Sequence, residues 1–268
     1  MNRIVIAPTT LQDTPPLEYI EAAALAGYDG IGLRVHRSPG LPFHPVVGNA
    51  ALIRDMKRAI AENDLEVFDL YSFYLQPDTD VTSFAPALEL GAEFGAKYAT
   101  VMGADTDWSR QRDNFAHVCD LAKHFGLICS LEFAVIRPLA TLPQTVQLIS
   151  ESKREAVICV DPLHLARSGG SPADVKALDA RLFPYAQMSD GVLAPDEPNP
   201  AMFGKLDMGT RAMPGEGTLP LYELLAALPK GIPLSVELPH ALAPKGMSAR
   251  DWAKITLDRT HKFLEKAH

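Results

Sequence analysis

Val157-Ile-Cys-Val-Asp161-Pro-Leu-His164 is an unbroken apolar run that ends in a carboxylate, a proline and a histidine. A short continuous apolar run of this kind fits a strand buried on both faces, as in a parallel sheet covered by helices. The pattern repeats in the neighbouring runs. Leu127-Ile-Cys-Ser-Leu-Glu132-Phe ends in a carboxylate, and Tyr185-Ala-Gln187-Met-Ser-Asp190-Gly ends in an amide and a carboxylate. Pro233-Leu-Ser-Val-Glu237-Leu-Pro-His240 again ends in a carboxylate. Further apolar runs at 4–7, 30–35, 65–73 and 98–102 bring the number to eight. Over 268 residues that is about 33 per run, the size of one strand plus one helix.

Helical patterns fill the gaps. Thr14 caps a helix with Pro15 at its first position, and Gly27 ends it. Residues 50–63 repeat Leu52, Met56 and Ile60 at helical spacing, and 84–94, 114–125, 142–150, 173–180 and 219–228 follow. Ser248 and Asp251 form a capping box that opens the last helix, which runs through Leu264. Strand and helix alternate eight times with no linker between them. The predicted fold is α/β: a single (β/α)8 TIM barrel spanning 1–268, with an open doubly wound sheet as the alternative.

Composition narrows the function classes. Hydrophobic residues make up 47% of the chain, enough to build a core, so disorder is excluded as the main state. No apolar stretch approaches the ~18 residues of a membrane span, and the N-terminus lacks the pattern of a signal peptide. The net charge of −8 argues against a nucleic-acid partner, which calls for a basic face. Cys119, Cys129 and Cys159 form neither a CxxC zinc motif nor a disulfide framework. The expectation is a reduced cytoplasmic protein with a small-molecule substrate and neither a nucleic acid nor a membrane as partner.

In a TIM barrel the chemistry sits at the C-terminal ends of the strands. Glu132, Asp161, Gln187 and Glu237 end four successive strands and would place three carboxylates and one amide oxygen at one rim. Three carboxylates packed together repel and raise each other's pKa unless a cation joins them. Oxygen-only ligation favours Mg²⁺ or Mn²⁺ over Zn²⁺. The alternative for each acid is a helix N-cap or a loop residue. His164 is read as a group that contacts substrate or supports the ligands. Arg211, just before the Pro214-Gly215-Glu216-Gly217 turn, would reach back to hold a substrate oxygen, the alternative being a solvated loop arginine. The connection 191–210 is long enough to act as a lid or binding loop. Tyr71, Phe73, Met102 and Phe133 are candidates for an apolar wall against a ring, or for ordinary core. His36, His240 and Arg34 also follow strands, each a weak signal alone. No dinucleotide-binding glycine motif or P-loop occurs.

These residues resemble the xylose isomerase-like TIM-barrel superfamily, the sugar phosphate isomerases/epimerases, over nearly the whole chain. Its carriers are Leu-Glu132-Phe, Val-Asp161-Pro-Leu-His164, Gln187-Met-Ser-Asp-Gly191, Arg211-Ala-Met-Pro-Gly-Glu-Gly and Ser-Val-Glu237-Leu-Pro. The resemblance implies that Glu132 and Glu237 bind a metal and face each other across the substrate as an acid/base pair. It makes Asp161 a pure ligand and places His164 and Arg211 on substrate oxygens. Most members carry His on strand seven. Gln187 departs from that, puts tight zinc binding in doubt and resembles the metal-dependent 3-dehydroshikimate dehydratases. The implied activity is a divalent-metal-dependent isomerase or epimerase of a small polyhydroxy carbonyl compound, with a lyase as the second reading and a non-catalytic binding barrel as the third. A three-zinc endonuclease of the same superfamily is excluded because its histidine set is absent. The resemblance also implies a homo-oligomer, a dimer or tetramer.

Overall fold

Each of the eight apolar runs is a strand in the computed structural model, which describes residues 2–193 and 210–267. The strands are β1 (Ile4–Ile6), β2 (Gly30–Leu33), β3 (Glu66–Leu75), β4 (Tyr98–Gly103), β5 (Ile128–Glu132), β6 (Ala156–Cys159), β7 (Ala186–Met188) and β10 (Leu234–Val236). They are all parallel, in the order β6-β5-β4-β3-β2-β1-β10-β7. A parallel bridge from Val160 to Ala186, with the Gln187 amide donating to Val160 O at 3.0 Å, joins the two ends. Eight parallel strands in a nearly closed ring with helices between them make a single (β/α)8 barrel. The two-residue strands β8 (Asp190–Gly191) and β9 (Arg211–Ala212) pair antiparallel as a separate ribbon.

The helices are α1 (Pro16–Ala26), α2 (Ala50–Glu62), α3 (Ala85–Glu93), α4 (Trp108–His124), α5 (Leu142–Ser152), α6 (Pro162–Arg167), α7 (Pro172–Lys176), α8 (Leu221–Ala227) and α9 (Ala249–Ala267). Their ends follow local chemistry. Gly27 closes α1 at φ +98°, a left-handed conformation that a side chain disfavours. Ser248 and Asp251 pair at the start of α9 as the capping box requires. Several elements differ from the sequence reading, and α7 ends at Lys176 rather than at the predicted Ala180. Pro15 rather than Thr14 is the N-cap of α1. Asp107 accepts from the Arg110 amide and starts α4 at Trp108, six residues before the predicted Asn114. The short α6 was hidden by its Pro162, which reads as a breaker but fits the first helical position. The predicted lid falls largely on 194–209, outside the described residues. Among the described residues, no helix is long and apolar enough to cross a membrane.

Two cores result. Outward side chains such as Ile4, Ile6, Ile31 and Val236 pack under the helices. Val5, Phe68, Cys159 and Tyr185 fill the barrel interior, with Phe68 and Tyr185 edge to face at 5.0 Å. Next to them lies a polar set, in which Tyr185 Oη donates to Ser130 Oγ at 2.9 Å and Thr100 Oγ1 to Asp69 Oδ2 at 3.1 Å. This filling plugs the barrel, so small molecules can enter only at the mouth.

Candidate active site

The strand ends converge on a cavity of about 200 Å³ lined by Thr9, Tyr71, Tyr74, Met102, Glu132, Arg137, His164, Arg211 and Glu237, among others. Glu132 closes β5 and Glu237 follows β10 directly, so strand geometry alone turns both toward the mouth. The Tyr71 hydroxyl lies 3.3 Å from Glu132 Oε1 and 3.3 Å from Glu237 Oε1, bridging the two carboxylates. Thr9 Oγ1 donates to Glu237 Oε1 at 2.6 Å, and His164 Nε2 lies 3.7 Å from Glu132 Oε1. Gln187 Nε2 lies 3.5 Å from Glu132 Oε2.

Asp161 divides its oxygens between two tasks. Oδ1 caps α6, accepting from the Leu163 and His164 amides at 2.8 and 2.9 Å. That cap fixes the helix whose first turn carries His164. Oδ2 receives Arg211 Nη1 at 2.6 Å. Arg211 is buried; its Nη1 also donates to Ser189 Oγ at 2.7 Å, and its Nη2 lies 3.3 Å from Glu237 Oε2. The arginine expected to hold a substrate oxygen therefore stands between Asp161 and Glu237. Among the described residues, no three His, Cys, Asp or Glu side chains gather into a group that could hold a metal by themselves. The buried acceptors Gln187 Oε1 and Glu237 Oε2 receive no hydrogen bond among the described residues.

The electrostatics separate the three acids. Burial, then the charges of Glu237 and Asp161, push Glu132 well above the usual carboxylate range. Burial and Asp161 also raise Glu237, against the opposing pull of Arg211 and the Thr9 hydroxyl. Burial resists ionisation of Asp161 too, but Arg211, His164 and the α6 amides outweigh it and hold the group at about 2. The site thus contains one carboxyl that its neighbours hold ionised and two whose ionised forms burial disfavours.

Asp190 and the turn after Arg211 form the scaffold. Asp190 accepts from the Gly215 and Leu219 amides at 3.0 and 3.1 Å. A Cβ on Gly217 would come within 2.3 Å of Asp190 Oδ1, so the second glycine of Pro-Gly-Glu-Gly is needed for close approach. Asp190 is a fastener of this turn, which follows the strand carrying Arg211.

Of the predicted apolar wall, Tyr71 and Met102 line the cavity, whereas Phe73 and Phe133 belong to the core. His36 packs between Phe73 and Phe84, and His240 faces Met247 O at 3.1 Å. Sequence reading missed Thr9, Tyr74, Arg137 and Ser189. Thr9 follows β1 and was accessible to the same strand-end rule. Tyr74 was not, because residues three apart on a regular strand face opposite sides. The register shift between Tyr71 and Phe73 brings both tyrosines to the mouth.

A family model described as xylose isomerase-like TIM barrel matches residues 20–261. Among solved structures, the IolI protein with a bound zinc atom is 18% identical with a TM-score of 0.80, covering 99% of each chain. The probable 3-DHS dehydratase AsbF from Bacillus anthracis is 15% identical with a TM-score of 0.74, covering 97% of this chain and 99% of its own. A D-psicose 3-epimerase with D-tagatose from Clostridium cellulolyticum H10 is 15% identical with a TM-score of 0.70, covering 98% and 99%. The chain also spans 43% of a xylose isomerase-like TIM barrel/4-hydroxyphenylpyruvate dioxygenase fusion protein, at 18% identity and a TM-score of 0.79. A search of curated protein sequences finds no match. With the model matching most of the chain and eight parallel strands in the ring, the chain belongs to the xylose isomerase-like TIM barrel family.

Proposed function

We propose that this protein is a divalent-metal-dependent isomerase or epimerase of a small polyhydroxy carbonyl compound. The observation that carries this reading is the pair Glu132 and Glu237, bridged by one tyrosine hydroxyl 3.3 Å from each and open to a common cavity. One carboxylate takes the proton on the carbon next to a carbonyl: the C–H bond breaks, an O–H bond forms, and the electron pair moves into the carbonyl. The other returns a proton to carbon. Two carboxylates that accept protons readily are suited to this exchange. Tyr71 holds them in register, and Arg211 and His164, which line the same cavity, would meet substrate oxygens as charge develops there.

The donor set fits a divalent ion in its chemistry. Fully ionised, Glu132, Asp161 and Glu237 would set three negative charges against the single positive charge of Arg211. Gln187 Oε1 is a buried acceptor that receives no hydrogen bond among the described residues, and Glu237 Oε2 has only the Arg211 guanidinium beside it, at 3.3 Å. Glu132, Asp161, Gln187 and Glu237 are the residues that would hold the ion, with Asp161 shared with Arg211. When bound, such an ion supplies Lewis-acid polarisation of the carbonyl. All four donors are oxygens, which favours Mg²⁺ or Mn²⁺. The zinc of IolI belongs to that protein.

A second reading, a dehydratase, keeps the same proton abstraction and then expels a hydroxyl group as water. The amide at Gln187 favours it through the resemblance noted above. One assay separates the two. Mass spectrometry of products from a panel of sugars and cyclic hydroxy-keto acids shows either an isomeric product or the loss of water with new conjugated absorbance. Turnover that is unaffected by chelator and by E237Q defeats both.

A further inference from the structure

We propose that the substrate extends beyond a single sugar ring and carries an uncharged second sugar unit in an annex that adjoins the catalytic cavity. The proposal rests on the reading above, because it names the substrate class of the same site. The catalytic cavity measures about 200 Å³, and a second cavity of about 250 Å³ shares Pro39 and Tyr74 with it. Pockets that enclose a ligand of some size run to about 300–1,000 Å³; neither cavity alone reaches that range, and the two together do. Both are built by the same two connections. The loop after β2 lines the annex with His36 and Arg37 and the catalytic cavity with Gly40 and Leu41. The end of β3 supplies Tyr74 to both, and the turn after it supplies Gln76, Asp78 and Asp80 to the annex. The annex therefore lies at the C-terminal face of the barrel, beside the mouth of the site.

The lining decides the chemistry of the extension. Gln76, Asp78, Asp80 and Ser83 bring amide, carboxylate and hydroxyl groups, which pair with sugar hydroxyls as donors or acceptors. Two carboxylates, Asp78 and Asp80, stand there against one guanidinium, that of Arg37, so the charge of the annex opposes a phosphate or a carboxylate. Phe84, buried and with His36 edge-on at 4.9 Å, adds an apolar wall for the C–H face of a ring. Arg137 of the catalytic cavity stands at the shared wall. Its guanidinium lies 4.8 Å above the Tyr74 ring, and its Nη2 is 3.4 Å from the Tyr74 hydroxyl. Stacking on an aromatic face orients the planar fork without using up its donors. Arg137 Nε is shut off from solvent and donates to nothing among the described residues. The oxygen that joins two sugar units would accept from it as the substrate crosses Tyr74. The reacting ring then lies between the two glutamates and the second ring in the annex.

The test reads binding rather than turnover, so it stands apart from the reaction assignment. Wild-type protein with Mn²⁺ is titrated calorimetrically with fructose, with the glycosyl ketoses lactulose and isomaltulose, and with fructose 6-phosphate. At least one disaccharide should bind ten-fold or more tighter than fructose, whereas fructose 6-phosphate should gain less than three-fold. S83W places an indole in the annex, and the double variant Q76A/D78A removes two of its polar groups. Ser83, Gln76 and Asp78 are exposed and stand outside the catalytic pair. Both variants should keep the melting temperature and the fructose affinity of wild type, and should cut the disaccharide gain to three-fold or less. A gain that survives both variants, an equal loss of fructose and disaccharide affinity in them, no gain by either disaccharide, no binding of any probe, or an equal gain by fructose 6-phosphate overturns the proposal. Disaccharide binding that behaves as proposed without turnover of any ketose retains the annex and sinks the isomerase reading alone. Turnover of fructose without a disaccharide gain does the reverse.

Discussion

Replacing Arg211 with methionine should be the most disruptive single change in the site. The guanidinium binds Asp161 at 2.6 Å and Ser189 at 2.7 Å, and lies 3.3 Å from Glu237. Methionine fills much of the same volume but leaves two buried carboxylates without their cation. Breaking a buried pair on one side costs about 3–5 kcal/mol. Asp161 agrees in direction: against the opposing effect of burial, Arg211 is the first of the neighbours that hold its carboxyl at about 2, below the ordinary 3.8. The melting temperature at neutral pH should fall by roughly 6–15 °C. The pH dependence follows from the direction of the shift. A carboxyl depressed in the folded state contributes stability that is full above about pH 4 and is lost as pH falls toward 2. The difference between wild type and R211M should therefore be largest near neutral pH and shrink in acid. Calorimetric melts at pH 7, 5 and 3 measure it. A difference under 2 °C at pH 7, or one that widens in acid, would refute the assignment of Arg211 as the internal counter-ion.

Four further outcomes follow from the same geometry. Glu132→Gln and Glu237→Gln should each cut turnover at least ~100-fold, yet leave the melting temperature at or above wild type, since each removes a carboxyl whose ionisation burial opposes; full activity in either variant contradicts the acid/base pair. Gln187→His should shift metal preference toward zinc, read as competition between Zn²⁺ and Mn²⁺ in calorimetry, and an unchanged ratio would remove Gln187 from the ligand set. Asp190→Ala leaves the Gly215 and Leu219 amides without their acceptor and should cost about 3 kcal/mol in urea unfolding, with a loss under 1 kcal/mol counting against its role as fastener. Burial pushes Asp69 up to about 7, so the folded state retains a proton that the unfolded chain releases, and stability falls as pH rises from about 4 to 7. Asp69→Asn should accordingly raise the melting temperature at pH 8 and change it little at pH 4; the reverse pattern contradicts a protonated Asp69.

Much of the fold is local and was therefore legible. Parallel strands buried on both faces must be continuously apolar, and chain reversals must carry glycine or a capping side chain. The eight runs and the caps at Gly27 and Ser248 marked the barrel before any contact was known. A barrel carries its chemistry at the C-terminal ends of its strands, so the position of Glu132, Asp161, Gln187 and Glu237 at the ends of their runs groups them at one rim.

Which of those residues touch is a property of the closed ring, since their spacing along the chain reaches 105 positions, from Glu132 to Glu237. Only the tertiary structure gives Asp161 its double task, seats Arg211 between two carboxylates and turns Tyr74 to the mouth through a register shift. Residue type and strand order are written in the sequence. The pairing of charges in a water-poor cavity is set by distances of a few ångströms, which closing the barrel fixes and a one-dimensional pattern does not contain.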